Sequence, residues 1–272
     1  MSRISEAFQV AADQNRMTFM PFVTAGDPDV KNTSAVLHGL AEADVDLIEL
    51  GFPYSDPIAD GPVIQASYTR ALDNGISVRQ IFEMMESLDH GAMPPVLAMV
   101  SFAIIFRFGV EAFAKRASEV GFSGLIIPDM PADEAEEMSG IAADHGLDLV
   151  QLIAPTTTAA RSAQILKAST GFVYCVSVAG TTGVRQELPA ELTEQLRGLR
   201  QSTDLPLAVG FGISGPDQVP ALEGVADGVI VGSAIVARAA DAESPDAAAA
   251  AVRQFADEMM NAVRQVKPSR RS

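Results

Sequence analysis

The sequence predicts an α/β chain closed into a (β/α)8 TIM barrel, and three observations carry that expectation. Short β-branched runs recur eight times, at Thr18–Thr24, Val45–Gly51, Val96–Ser101, Gly124–Pro128, Asp148–Ile153, Phe172–Val176, Leu207–Gly210 and Gly228–Val231. Between them lie stretches such as Val110–Val120, Asp133–His145, Ala160–Ser169 and Gln186–Gln201, with apolar residues at helical spacing and polar residues opposite. Alternating strand and helix implies parallel βαβ units, and eight such units imply closure. The rival is an open doubly wound sheet, which usually carries a Gly-x-Gly-x-x-Gly turn after its first strand. Here that strand runs into Thr24-Ala25-Gly26-Asp27-Pro28, which lacks the pattern.

In chain order, Ser2–Asn15 reads as an extra N-terminal helix suited to closing the barrel floor. Asp246–Val266, alanine-rich at its start, reads as the closing helix. No linker, low-complexity block or composition break divides the chain, so residues 1–272 are expected to form a single domain. Lys267, Arg270 and Arg271 around Pro268 suggest a flexible basic tail over 267–272.

Composition narrows the function classes. Hydrophobic residues make up 48% of the 272, ample for a large core. No apolar run reaches the ~18 residues of a membrane span. The start is polar and amphipathic without a signal core, and Cys175 is the single cysteine, so a cytoplasmic address is expected without a disulfide framework. The net charge of −16 repels nucleic acid and anionic lipid at long range. It leaves room for a small anion, because backbone dipoles bind phosphate whatever the net charge.

Barrel chemistry sits at the C-terminal ends of the strands. Period-two alternation puts Glu49 on one face with Val45 and Leu47. If that face is the interior, desolvation raises the acid toward the range useful for proton transfer; otherwise Glu49 simply reaches water. The loop Phe52–Pro62 holds three prolines and the acids Asp56 and Asp60. It either presents Asp60 to the barrel mouth or wraps the rim as a solvated acidic loop. Two glycine turns, Gly210-Phe211-Gly212-Ile213-Ser214 and Gly232-Ser233-Ala234-Ile235-Val236, end the last two strands. That is where barrels hold phosphate, on backbone N–H groups and a helix N-terminus. The segment Ala179–Arg185, with glycine-flanked threonines, suits a lid or an ordinary mobile loop equally well.

Lysines are few (Lys31, Lys115, Lys167 and Lys267) and fall in expected helices or the tail, which disfavours a Schiff base. His38, His90 and His145 fall away from the strand tops, so no metal site is expected.

The segments Phe22–Pro28, Ile48–Pro62, Gly210–Ser214 and Gly232–Val236 closely resemble the α subunit of tryptophan synthase, in order, over about Phe8 to Val236. The stretch around Glu49 and Asp60 is specific; the glycine turns alone are not. The resemblance implies retro-aldol cleavage of indole-3-glycerol phosphate to indole and glyceraldehyde 3-phosphate. It gives Glu49 the acid–base role and makes Asp60 the carboxylate partner of the indole N–H. Phe22, Ile64, Ile153, Tyr174 and Phe211 would wall the indole, and Thr182 would be the lid threonine that meets Asp60. Gly183, Gly212, Gly232 and Ser233 would hold the phosphate. The resemblance further implies docking on a pyridoxal-phosphate β subunit in an α2β2 complex, through the loop of Pro53, Asp56 and Pro57. The cofactor would belong to that partner.

One departure stands out. The family's Tyr-x-Asn after the third strand is replaced by Ser101-Phe102-Ala103, and its tyrosine can hydrogen-bond the Asp60 carboxylate. Serine is too short, so catalysis is expected to be altered but retained. Competing readings are a sugar-phosphate isomerase or epimerase, an impaired barrel kept as an allosteric partner of the β subunit, and a stand-alone lyase releasing indole.

Overall fold

The computed structural model describes residues 1–57, 60–131, 134–177, 190–210 and 212–269. Its centre is a closed barrel of eight parallel strands in sequential order. These are β1 (Thr18–Thr24), β2 (Ile48–Gly51), β3 (Val96–Met99), β4 (Phe122–Ile126), β5 (Asp148–Ile153), β6 (Val173–Val176), β7 (Leu207–Gly210) and β8 (Gly228–Val231). Closure is made by β1 against β8, with Thr18 opposite Gly228 and Pro21 opposite Val231.

Around the barrel run α1 (Arg3–Asp13), α2 (Val30–Glu42), α3 (Pro62–Asp73), α4 (Val78–Glu86), α5 (Phe102–Phe108), α6 (Val110–Glu119), α7 (Ala135–Asp144), α8 (Ala159–Ala168), α9 (Ala190–Arg200), α10 (Ser233–Ala240) and α11 (Pro245–Val263). A 3₁₀ segment, Pro216–Leu222, replaces a full helix between β7 and β8. Their starts follow local chemistry: Ser2, Asp29, Ser77, Thr158 and Ser244 each cap a helix by accepting a backbone N–H. Among the described residues, no helix is long and apolar enough to cross a membrane.

Two apolar layers follow from strand alternation. The interior holds Met20, Phe22, Leu47, Leu97, Met99, Ile126, Val150, Tyr174, Ala208 and Ile230. Ile4 and Phe8 of α1 close it from below, with the Phe8 and Phe172 rings 5.4 Å apart. The larger outer layer lies between strands and helices and holds Val23, Ile48, Leu50, Ala98, Leu125, Leu149 and Val209. Helices α2 and α11 meet where a Cβ on Gly39 would stand 2.7 Å from the Ala249 carbonyl, so only glycine admits that approach.

Four strands begin or end away from the expected bounds, and two of the differences have clear causes. The second strand starts at Ile48, because Asp46 turns its carboxylate to the Phe19 N–H (2.9 Å) and to Arg16. That side chain takes the place of the ladder there, and Val45 falls into the outer layer instead of beside Glu49. The third strand ends at Met99, because Ser101 caps α5 by accepting the Ala103 N–H. The fourth and sixth strands differ by one or two residues.

At the C-terminal end, the Lys267 carbonyl accepts from Gly224, the Ser269 N–H donates to Ala226, and Arg200 donates to the Ser269 hydroxyl. The remainder of the expected tail, 270–272, lies outside the described residues.

Candidate active site

Glu49 sits near the end of β2, between Phe22 of β1 and Leu97 of β3. Alternation from Leu47 turns its side chain inward, where it is fully buried. Neither carboxylate oxygen has a hydrogen-bond partner among the described residues. A bare carboxylate there would be very costly, so the site favours the neutral acid. Burial first, and the charge of Asp60 second, push Glu49 up to about 8.

Asp60 comes from the loop after β2, immediately before the Gly61-Pro62 start of α3. Its N–H donates to the Pro57 carbonyl (3.1 Å), and its own carbonyl accepts from the Gln65 amide (2.7 Å). These bonds fix the backbone while the carboxylate, 7% exposed, turns into the barrel mouth. Burial raises it to about 6. Between those two values the stable pair is a protonated Glu49 beside an ionised Asp60. Proton donor and anion then coexist in one pocket, set apart by their surroundings.

Both acids line a cavity of about 190 Å³ with Phe22, Gly61, Ile64, Met99, Tyr174, Gly212, Ile213, Ser214, Ile230, Gly232 and Ser233. Its wall at one end is aromatic and aliphatic. Phe22 leans on Gly51, where an added Cβ would meet the ring at 2.4 Å, and Tyr174 lies over Gly210 at 2.3 Å by the same construction. The bare backbone at these strand ends is what leaves space for the rings. Gly212, on the same lining, has φ +90°, a conformation that disfavours any side chain. Gly232, where an added Cβ would stand 3.2 Å from Ile64 and 3.6 Å from Phe22, precedes the first turn of α10. The first N–H groups of a helix have no partner within it, so they are free to meet an anion.

Of the residues singled out in the sequence, the structure brings together Glu49, Asp60, Phe22, Ile64, Tyr174, Gly212, Gly232 and Ser233. Ile153 is a correction. It is buried in the outer layer with Leu149, facing the helices, while its neighbour Leu152 packs toward the interior. A one-residue step along a strand reverses the face. Thr182, Gly183 and Phe211 lie outside the described residues, as does the Ala179–Arg185 segment. Met99 and Ile230 were not singled out, and Ile213 and Ser214 were named only as part of the glycine turn after β7. Met99 and Ile230 share inward parity with Leu97 and Gly228, so alternation applied to every strand would have found them.

Ser101 does not face Asp60. Its hydroxyl donates to Asp129 at 2.6 Å, and the Phe102 N–H donates to the other oxygen of Asp129 at 2.7 Å. Where the family resemblance supplies a tyrosine, this chain ties the loop after β3 to the loop after β4. In the loop after β2, Asp56 is exposed and Pro57 half-buried, whereas Pro53 is buried and lines a groove with Phe52, Ile76, Ile104 and Phe108. Cys175 is buried and its thiol is pushed up to about 12, which makes it unreactive. Among the described residues, no three His, Cys, Asp or Glu side chains are placed to hold a metal ion.

The family model for the tryptophan synthase alpha chain matches residues 8–264. The chain belongs to this family. It is 47% identical over 246 residues to the tryptophan synthase alpha chain of Rhodopirellula baltica, covering 89% of this chain and 88% of the relative. It is 43% identical over 264 residues to that of a Picosynechococcus species, covering 97% and 100%. Among solved structures, the tryptophan synthase subunit alpha of Legionella pneumophila superposes with a TM-score of 0.87 at 33% identity, over 98% of this chain and all of that one. Tryptophan synthase from Mycobacterium tuberculosis superposes with a TM-score of 0.87 at 34% identity, over 97% and 98%. Family membership makes the chain a lyase of tryptophan biosynthesis.

Proposed function

We propose that this chain cleaves indole-3-glycerol phosphate by a retro-aldol reaction in which Glu49 moves the proton and Asp60 supplies the anion. The supporting observation is the pair itself: a buried acid without a partner among the described residues and an ionisable neighbour in one apolar cavity, with glycine turns in its lining.

The chemistry needs little more than this. Protonation of the indole C3 by neutral Glu49 leaves a cation spread over C2 and the ring nitrogen, and Asp60 beside the ring N–H stabilises it. Glu49, now ionised, takes the proton from the hydroxyl on the carbon attached to C3. The O–H electrons form the aldehyde, the carbon–carbon bond breaks, and its electrons neutralise the indole ring. One proton is given and one is recovered, so the enzyme ends as it began. Phe22, Ile64 and Tyr174 would sandwich the rings, with Phe211 beside them. Thr182 would close over Asp60. Gly183, Gly212, Gly232 and Ser233 would hold the phosphate.

In the cell this activity would serve a β subunit carrying pyridoxal phosphate, in a cytoplasmic α2β2 assembly. The loop holding Pro53, Asp56 and Pro57 would meet it, with exposed Asp56 making the first contact and Pro53 supporting the loop from beneath. The single domain, with its basic end, would form one protomer.

Indole release from indole-3-glycerol phosphate tests the reading, for wild type and Glu49→Gln, without and with a β subunit. Release by the wild type that is lost in the variant supports it. A folded wild type that releases none under either condition would overturn it. If such a protein still activated the β subunit, the barrel would be a binding partner rather than a lyase.

A further inference from the structure

The 3₁₀ segment between β7 and β8 carries a side chain that the reaction does not use directly. Gln218 reaches back over the glycine turn that ends β7. Its Oε1 accepts the Ser214 N–H (2.7 Å) and the Ser214 hydroxyl (3.0 Å), and its Nε2 donates to the Gly212 carbonyl (3.2 Å). One carboxamide therefore closes both ends of the turn. The amide suits this, because it offers an acceptor and a donor on one planar group; a carboxylate only accepts and an ammonium only donates.

The clamp stands on a firm base. The Gln218 N–H donates to the Gly215 carbonyl (3.3 Å), and the neighbouring Val219 and Leu222 are fully buried in the outer layer. Pro216 limits the backbone at the start of the segment.

The consequence for a ligand follows from peptide geometry. In a trans peptide the carbonyl and the following N–H point to opposite sides. With the Gly212 carbonyl held on Gln218, the Ile213 N–H must point away from Gln218. The Ser214 N–H and hydroxyl are already occupied by Gln218, so the donors this turn can offer are the Gly212 N–H and, beside it, the Ile213 N–H. Gly212, Ile213 and Ser214 all line the cavity, as do Gly232 and Ser233 at the start of α10.

We propose that Gln218 is a positioning residue for the anion end of the cavity, setting the turn so that the Ile213 N–H faces a phosphate oxygen. It rests on the reading of a phosphorylated substrate given above. Gln218 does not touch the substrate; it acts through the turn.

The test separates the phosphate arm from the indole arm. Full-length wild type, Gln218→Ala and Gln218→Glu are titrated with inorganic phosphate, with glycerol 3-phosphate and with indole-3-propanol, and turnover of indole-3-glycerol phosphate is measured in parallel. Losing one positioned hydrogen bond to a charged phosphate oxygen is expected to weaken both phosphate probes about tenfold or more in Gln218→Ala. KM should rise by the same factor, with kcat changed by less than about twofold. Affinity for indole-3-propanol should stay at the wild-type value. Gln218→Glu keeps the acceptor for Ser214, loses the donor for Gly212 and adds a negative charge, so its phosphate affinity should be at least as weak. It also decides the question if Gln218→Ala fails to fold.

Wild-type phosphate affinity in the folded variants overturns the proposal. So does an equal loss on both arms, which would mark general loosening. If the wild type binds glycerol 3-phosphate through Gln218 yet does not cleave indole-3-glycerol phosphate, the clamp stands and the lyase reading fails.

Discussion

Burying Glu49 without a hydrogen bond should make the fold less stable as pH rises, and Glu49→Gln should remove that dependence. The folded acid titrates at about 8 against an ordinary 4.5. The folded state therefore holds a proton that the unfolded chain gives up once pH passes 4.5. Stability from this group is complete below that value and is lost progressively until pH passes about 8. Each factor of ten in proton affinity is worth about 1.4 kcal/mol, so from pH 5 to pH 8 the wild type should lose on the order of 3–4 kcal/mol relative to the variant. Glu49 is fully buried, so solvent screening does not reduce this figure. Acids far from Glu49 remain in both proteins and cancel in the difference, whereas the Asp60 charge, which helps to raise Glu49, is part of the effect measured. Urea unfolding of both proteins at pH 5, 6, 7 and 8 measures it. A gap between variant and wild type that stays constant across that range would refute the argument. The same result would refute the claim that Glu49 is neutral in the resting enzyme.

Other expectations follow from particular contacts. The pH profile of kcat/KM should be bell-shaped, falling on the acid side as Asp60 takes up a proton near about 6 and on the alkaline side as Glu49 loses one near about 8. A flat profile between pH 5 and 9 would rule out that pair as donor and anion. Gly51→Ala places a Cβ 2.4 Å from the Phe22 ring and 2.8 Å from the Tyr68 hydroxyl. Such overpacking costs about 1–3 kcal/mol, and the displaced Phe22 should raise KM more than it lowers kcat; thermal melting and steady-state kinetics check both. Asp46→Ala removes the ion-pair partner of the Arg16 guanidinium, whose side chain is 9% exposed and keeps only its bonds to Gln14 and the Met17 carbonyl, and frees the Phe19 N–H. Removing one partner of a buried pair costs about 3–5 kcal/mol, which denaturant unfolding reads directly.

The barrel was legible because its signal is repeated. A strand mistaken at one place is corrected by seven others with the same pattern, and closure follows from their number. Glu49 could be placed inside from two positions of alternation, because Leu47 fixes the face. The same rule, applied without regard to where a strand bends, misplaced Val45, since the Asp46 carboxylate had replaced the ladder. Ile153 was put on the indole wall from the resemblance, and strand parity assigns that inner face to Leu152. Ser101 reads in the sequence only as a lost tyrosine; its bond to Asp129 joins residues from two different loops. Gln218 gave no signal of its own. A glutamine in a short polar segment is ordinary until its carboxamide is found across both ends of a turn. Strand order and inward faces are local properties of the chain. The bonds that shape the anion end depend on how separate loops meet, and no periodicity records them.

The pairing of Thr18 with Gly228 has a bearing on how the molecule is made. On the ribosome, β1 through β7 emerge before the strand that seals them, and one edge of β1 waits unpaired through most of synthesis. During that interval Glu49 has no enclosed interior around it and stays an ordinary hydrated carboxylate. Gly232 and the first turn of α10 emerge immediately after β8, so the turn that faces an anion arrives with the seal itself. The enclosure that raises Glu49 in the folded chain is therefore completed by one of the last elements to be made.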